Sequence, residues 1–302
     1  MSLLVVGTTA LDSIKTPHAE NPRLLGGSAS HAAVAASFFT TPHLIGAVGD
    51  DFPRKYIDLY RKHGLNLDGL QQLSGQTFHW SGEYEQNMNH RRTLDTVLGV
   101  IENFSPTLTA AQTRLPYVLL ANCAPDLQAN VLDQMRRPKF VVADTMDLWL
   151  NIARAPLLKL LPRLDCLVLN DSEAAQLVEE DNLIAALPRI HRLGPKYVII
   201  KKGEHGAILS GPSKTKPLFI APAYPLKKVV DPTGAGDSFV GGLMGHLASQ
   251  KGSPEKNLRT ALIHGTITAS FCCEAFGLKK TTKIKTADIA KRVREISRMV
   301  KW

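Results

Sequence analysis

The chain has 302 residues, with 36 Lys+Arg against 27 Asp+Glu and a formal net charge of +9. Hydrophobic residues make up 44% and charged residues 21%, which excludes a disordered or fibrous chain. No apolar run approaches the ~20 residues of a membrane-spanning helix, and the start Met1-Ser2-Leu3-Leu4-Val5-Val6-Gly7 lacks the basic region of a secretory signal.

Short β-branched runs alternate with longer amphipathic stretches along the chain. Strands are predicted over 3–7, 43–48, 117–122, 140–144, 166–170, 197–201 and 207–210. Helices are predicted over 28–39, 53–63, 126–135, 172–179, 183–193, 235–249, 256–273 and 286–300. Strands such as Val198-Ile199-Ile200 are apolar on both faces, which predicts a parallel sheet covered by helices on both sides. The stretch 76–100 breaks the alternation. Its Thr77-Phe78-His79-Trp80-Ser81 and Tyr84 alternate as exposed strands do, and a polar run from Glu85 to Arg92 follows. It predicts a small lid sheet inserted in the main domain. Internal repeats, low-complexity tracts and long linkers are absent, so one domain over 1–302 is expected.

Cys123, Cys166, Cys272 and Cys273 form no C-x-x-C pair, and they read as reduced cytoplasmic thiols without a zinc site. The basic segment Lys279-Lys280-Thr281-Thr282-Lys283-Ile284-Lys285 carries no interleaved aromatic residues. It reads as a solvated face, next as a general attraction for small anions, and only third as a nucleic-acid surface. No membrane partner and no nucleic-acid partner is expected.

The most informative stretch is Val229-Val230-Asp231-Pro232-Thr233-Gly234-Ala235-Gly236-Asp237-Ser238-Phe239-Val240-Gly241-Gly242. A strand ends in small residues that pass into an amphipathic helix. Amides of Gly234, Ala235 and Gly236 would stand at the helix start, where aligned donors and the helix dipole favour an anion. Asp237 would sit beside that anion hole. A carboxylate there suits phosphoryl transfer: it takes a proton from an attacking hydroxyl while the amides stabilise the growing charge. The plainer reading is a glycine turn with a helix-capping Asp. Two rival phosphate motifs fail, because the chain has no G-x-x-x-x-G-K-[ST], and G-x-G-x-x-G would need glycine at Phe239.

The string from Asp231 to Gly242 resembles the C-terminal signature of the ribokinase-like (PfkB) family of carbohydrate and nucleoside kinases. Other landmarks follow in the family's order over nearly the whole chain. The resemblance implies a three-layer α/β/α fold with a mostly parallel sheet and a small β lid, ATP as donor and Mg²⁺ as cofactor. It implies Asp237 as catalytic base, with Gly234, Ala235 and Gly236 forming the anion hole. Gly7-Thr-Thr-Ala-Leu-Asp12 resembles the family's first strand, whose closing Asp binds substrate hydroxyls; by itself Asp12 also reads as a turn residue. Leu25-Gly26-Gly27-Ser28-Ala29-Ser30-His31 resembles the Gly-Gly substrate signature, with His31 where many members carry Asn.

Asn170-Asp171-Ser172-Glu173 matches the family's N-x-x-E motif, so Asn170 and Glu173 are implied to organise Mg²⁺, Glu173 through water. The same spacing suits a helix capping box. Lys201-Lys202-Gly203 resembles the nucleotide-side turn, with Lys201 near the phosphates and Gly203 letting the backbone pass; a basic hairpin turn is the plainer reading. Thr233 is implied on the nucleotide side, and Asp231 as a site for a monovalent cation such as K⁺. The adenine pocket is expected around 264–277.

Between Asp12 and Gly26 the chain is short for lid strands, so the lid is expected mainly over 76–100 with a short contribution from 13–24. Its edge would either stay charged or pair in a homodimer. Two kinds of function remain open: a kinase acting on a sugar or a ribonucleoside, and a non-catalytic sugar or nucleotide sensor on the same fold.

Overall fold

The computed structural model of the chain describes residues 2–88, 91–212 and 218–301. In chain order the strands are β1 (Leu3–Val6), β2 (Ala10–Thr16), β3 (Ala19–Gly26), β4 (Pro42–Val48), β5 (Asn66–Gln72), β6 (His79–Tyr84) and β7 (Arg91–Val97). They continue with β8 (Tyr117–Leu120), β9 (Phe140–Asp144), β10 (Cys166–Asn170), β11 (Tyr197–Lys201), β12 (Ala207–Ser210) and β13 (Leu218–Ala221).

A nine-stranded sheet has the order β13-β12-β11-β10-β9-β8-β1-β4-β5. From β11 to β5 every neighbouring pair is parallel, and β12 and β13 close one edge as antiparallel strands. Residues of one strand alternate between two cores. Leu3 and Val5 pack in one apolar cluster, while Leu4 and Val6 pack in the other. Ile199 likewise opposes Val198 and Ile200. This is the three-layer α/β/α arrangement expected of doubly apolar strands. Helices Ser28–Ala36, Ala235–Ser249 and Pro254–Cys272 cover the first face. Helices Pro125–Gln134, Arg154–Leu160, Asp171–Val178 and Leu183–Arg192 cover the second. No helix among the described residues is long and apolar enough to cross a membrane.

A separate four-stranded sheet has the order β3-β2-β6-β7. Half of it comes from 10–26, more than the short contribution expected from 13–24. A two-residue turn makes this possible, because the Thr16 hydroxyl accepts the His18 and Ala19 N–H groups and lets β2 pair at once with β3. The edge strand β7 stays exposed and carries Arg91, Arg92 and Asp95. Asn89 and His90 of the polar run lie outside the described residues.

Several elements escape the periodicity. Strand β5 is polar with a central Gly69, a composition poor in β-formers. Strand β13 has one short apolar run at the sheet edge. The helices Asp147–Ile152 and Arg154–Leu160 are each too short to show a full amphipathic period.

Candidate active site

Five strands of the main sheet deliver the site. The carboxyl ends of β1, β8, β9, β10 and β11 lie on one side, where ligands bind in open parallel α/β sheets. Asp144, Asn170 and Lys201 are the last residues of β9, β10 and β11. The start of helix Ala235–Ser249 supplies the last wall.

Gly234 caps that helix with φ of +77°, a left-handed conformation that favours glycine. The Ala235 N–H donates to the Pro232 carbonyl at 3.1 Å, so this amide serves the turn. Half-buried Asp237 lies in the first turn. Burial pushes its carboxyl above the ordinary range, against the nearby Lys201 ammonium and Arg91 guanidinium. A side chain begun on Gly236 would stand 3.1 Å from Lys201 Nζ, so the ammonium hangs over the same turn.

Lys201 Nζ donates to both oxygens of Asp144, at 2.7 and 3.0 Å. Burial works to lower its pKa, but the charges of Asp144, Glu173 and Asp237 outweigh burial and raise it. Asn170 and Glu173 form a reciprocal cap: Asn170 Oδ1 accepts the Glu173 N–H at 2.7 Å, and Glu173 Oε2 accepts the Asn170 N–H at 2.7 Å. The cap explains the spacing locally, yet it also turns Glu173 inward toward Lys201. Burial lifts the Glu173 carboxyl to about 7, with Lys201 pulling down and Asp144 pushing up.

On the other side lies Asp12, 5% exposed, at a bulge between β2 and β3. Such bulges re-aim a side chain. Burial raises its carboxyl to about 7; the Gly27 N–H opposes this at 3.2 Å from Oδ2, and the charge of Asp237 adds to it. Oδ1 is buried without a hydrogen-bond partner among the described residues. Gly26 leaves room for this carboxylate, because a Cβ there would overlap Asp12 Oδ2 at 1.9 Å. Gly27 holds φ of +90° with its amide turned onto Asp12.

His31 takes another direction. It is 1% exposed, with Nδ1 3.6 Å from Cys272 Sγ and Nε2 unpartnered among the described residues. Burial lowers its pKa to about 4. The ring lies directly under Gly234, where a Cβ would meet Cε1 at 2.3 Å. Fully buried Asp231 clasps two loops, its oxygens accepting the Thr233 N–H at 2.9 Å and the Gly277 N–H at 3.1 Å. The Thr233 hydroxyl donates to the Tyr84 hydroxyl at 3.1 Å and ties the turn to the small sheet. Gly203 begins the turn Gly203–His205 in open space, with no contact to the carboxylate cluster.

The structure thus gathers Asp12, Gly27, Glu173, Lys201, Gly236 and Asp237, and keeps His31 and Asp231 beneath the surface as supports. Sequence reading missed Asp144. Its signal was an acidic residue closing the wholly apolar run Phe140-Val-Val-Ala. Arg91, on the exposed edge strand β7, donates to Asp147 at 3.3 Å and faces Asp237 electrostatically.

Known proteins carry the same plan. The chain is 26% identical over 251 residues to the cytidine kinase of Thermococcus kodakarensis, covering 81% of this chain and 87% of that one. The aminoimidazole riboside kinase of Salmonella enterica, solved with aminoimidazole riboside and an ATP analog, superposes with a TM-score of 0.77 at 19% identity, over 97% of this chain and 100% of that one. The fructokinase of Vibrio cholerae, solved with fructose, ADP and calcium, gives 0.79 at 16% identity, over 97% and 98%. These two likenesses are of fold. A family model described as pfkB family carbohydrate kinase matches residues 6–285, and the chain therefore belongs to the pfkB family of carbohydrate kinases.

Proposed function

We propose that the protein transfers the γ-phosphoryl group of ATP to a hydroxyl of a sugar or sugar-like acceptor. The observation that carries this reading is the convergence at one helix start: half-buried Asp237, the Lys201 ammonium over Gly236, and Asp12 with an unpartnered oxygen in electrostatic reach. Asp12 Oδ1 accepts the acceptor's hydroxyl and orients it. Asp237 takes the proton of the attacking hydroxyl, and burial makes it a stronger base than a free carboxylate. The amides of Gly234 and Gly236 and the Lys201 ammonium take up charge on the transferring group, while the Ala235 amide holds the turn.

The donor chemistry suits a hard divalent ion. The Glu173 carboxylate lies near Lys201, and its Oε1 stands outside the capping bond. Among the described residues no three acidic, His or Cys side chains could hold a metal between them. That fits an ion held by one or two carboxylates, waters and nucleotide phosphates, as Mg²⁺ commonly is. When bound it would offset phosphate charge. Asn170 and Glu173 would hold it through water. The reading needs no monovalent cation at Asp231, whose oxygens serve the two loops. Four free thiols support a reducing, cytoplasmic setting.

A ribonucleoside acceptor is the second reading, favoured by the likeness to a cytidine kinase along 81% of the chain. Replacing Asp237 with Asn tests the role common to both. Turnover is expected to fall by ~10²–10⁴-fold with nucleotide affinity retained. Turnover near that of the wild type would remove Asp237 from the mechanism and favour a sensor or another base.

A further inference from the structure

One partner of a buried charge pair, Asp144, has no role yet in this chemistry. Asp144 ends β9, and Lys201 ends β11, two strands away across β10. Their side chains are 4% and 17% exposed. An ion pair this deep seldom stabilises a fold relative to apolar side chains of the same size, so folding alone is a weak reason for it. The Asp144 backbone is also fixed, because Gln128 Nε2 donates to its carbonyl at 3.1 Å and to those of Leu120 and Ala121. The result is a rigid carboxylate gripping a long side chain by both oxygens. Freed from it, the Lys201 side chain would sample many rotamers. Held by it, Nζ lies over Gly236 and faces Asp237.

We propose that Asp144 is a positioning residue that fixes the Lys201 ammonium at the start of helix Ala235–Ser249, where it meets the terminal phosphoryl group of the nucleotide. The inference rests on the phosphotransfer reading and adds a residue to it. Asp144 acts through Lys201 and does not touch the substrate.

The test is a double-mutant cycle on the full chain with Asp144→Asn, Lys201→Met and the pair together. Affinities for ADP and for the non-hydrolysable analogue AMP-PNP are measured with Mg²⁺, beside turnover. Each single change is expected to cut turnover by about 10²-fold and to weaken AMP-PNP while leaving ADP unchanged. The double variant should be no worse than Lys201→Met alone, because the two residues act as one unit. Asp144→Asn strands a buried ammonium and risks misfolding; the double variant removes both charges and still carries the comparison with Lys201→Met. Additive losses would overturn the proposal. So would full recovery of Asp144→Asn at raised Mg²⁺, which would make Asp144 a partner of the metal. If the wild type turns over no acceptor, the phosphotransfer reading fails separately, and the AMP-PNP against ADP comparison still decides the role of the pair.

Discussion

His31 and Gly234 occupy adjoining space so tightly that Gly234 has no room for a side chain while the ring is in place. A methyl group on Gly234 would press on the imidazole at 2.3–2.4 Å and would also have to adopt a positive φ. We expect Gly234→Ala to cost about 1–3 kcal/mol, measured by urea unfolding. Part of this should return when His31→Ala opens the space beneath. Equal costs in both backgrounds would show that the ring does not support the turn. The departure of His31 from the Asn common in the family was plain from the chain, but its burial was not. Sequence showed a helical position without showing that the Gly234 turn lies on top of it. Asp12 shows what burial does to a carboxylate. Its carboxyl stands at about 7, above the ordinary 3.8, because burial disfavours the charge. Stability from such a raised group is full below the ordinary value and is lost as pH rises through the folded one. Asp12→Asn is therefore expected to stabilise the ligand-free protein by about 1–3 kcal/mol above pH 7, and to lose that advantage as pH falls toward the ordinary value. Urea unfolding at both ends of this range decides it, and a pH-independent difference would contradict the account. In the proposed reaction the ionised form accepts hydroxyls, so acceptor KM should rise as pH drops below about 7.

Helices Ser28–Ala36 and Ala235–Ser249 bring the two halves of the site together because their contact is lined by glycine. A Cβ on Gly241 would meet the Ala32 carbonyl oxygen at 2.2 Å, and one on Gly245 would meet Ala36 Cα at 2.8 Å. On the opposite side, Gly242 makes room for Thr268, whose hydroxyl donates to the Ser238 carbonyl at 2.8 Å. The helix starts thus come close enough for the Gly27 and Gly234 turns to face one site. We expect Gly241→Ala to destabilise by about 1–3 kcal/mol, read as a shift in urea midpoint at constant slope. Turnover should fall beyond the loss of folded protein, since the backbones must separate; an unchanged midpoint would refute this contact. Strongly apolar elements were legible from the sequence pattern: helix Ala235–Ser249 and strands β9 to β12 have the expected bounds. What escaped was short or polar. β5 borrows its stability from β4, its parallel neighbour, and a seven-residue polar run announces nothing of that. Strands β2 and β3 were legible only as a short lid contribution over 13–24, because the two-residue turn that Thr16 braces leaves no loop to mark a hairpin.

Across the whole molecule, residues far apart in the chain meet at the carboxyl ends of parallel strands. Asp12, Asp144, Glu173, Lys201 and Asp237 come from five separate segments: the main-sheet order brings Asp144, Glu173 and Lys201 together, the small sheet adds Asp12, and the packing of helix Ala235–Ser249 adds Asp237. The string around Asp237 was legible because anion binding at a helix start needs small residues in a fixed order. Asp144 was not, because a single carboxylate has no pattern until its partner is seen. The central claim is phosphoryl transfer to an acceptor hydroxyl with Asp237 as base. The most direct measurement is ADP release from Mg·ATP against a panel of sugars and ribonucleosides, with phosphorus NMR of the product and Asp237→Asn run in parallel. The account predicts ADP release and a new phosphate ester with at least one of them, both lost in the variant. ADP release that persists undiminished in Asp237→Asn, or nucleotide binding with no ester formed from any acceptor, would contradict it.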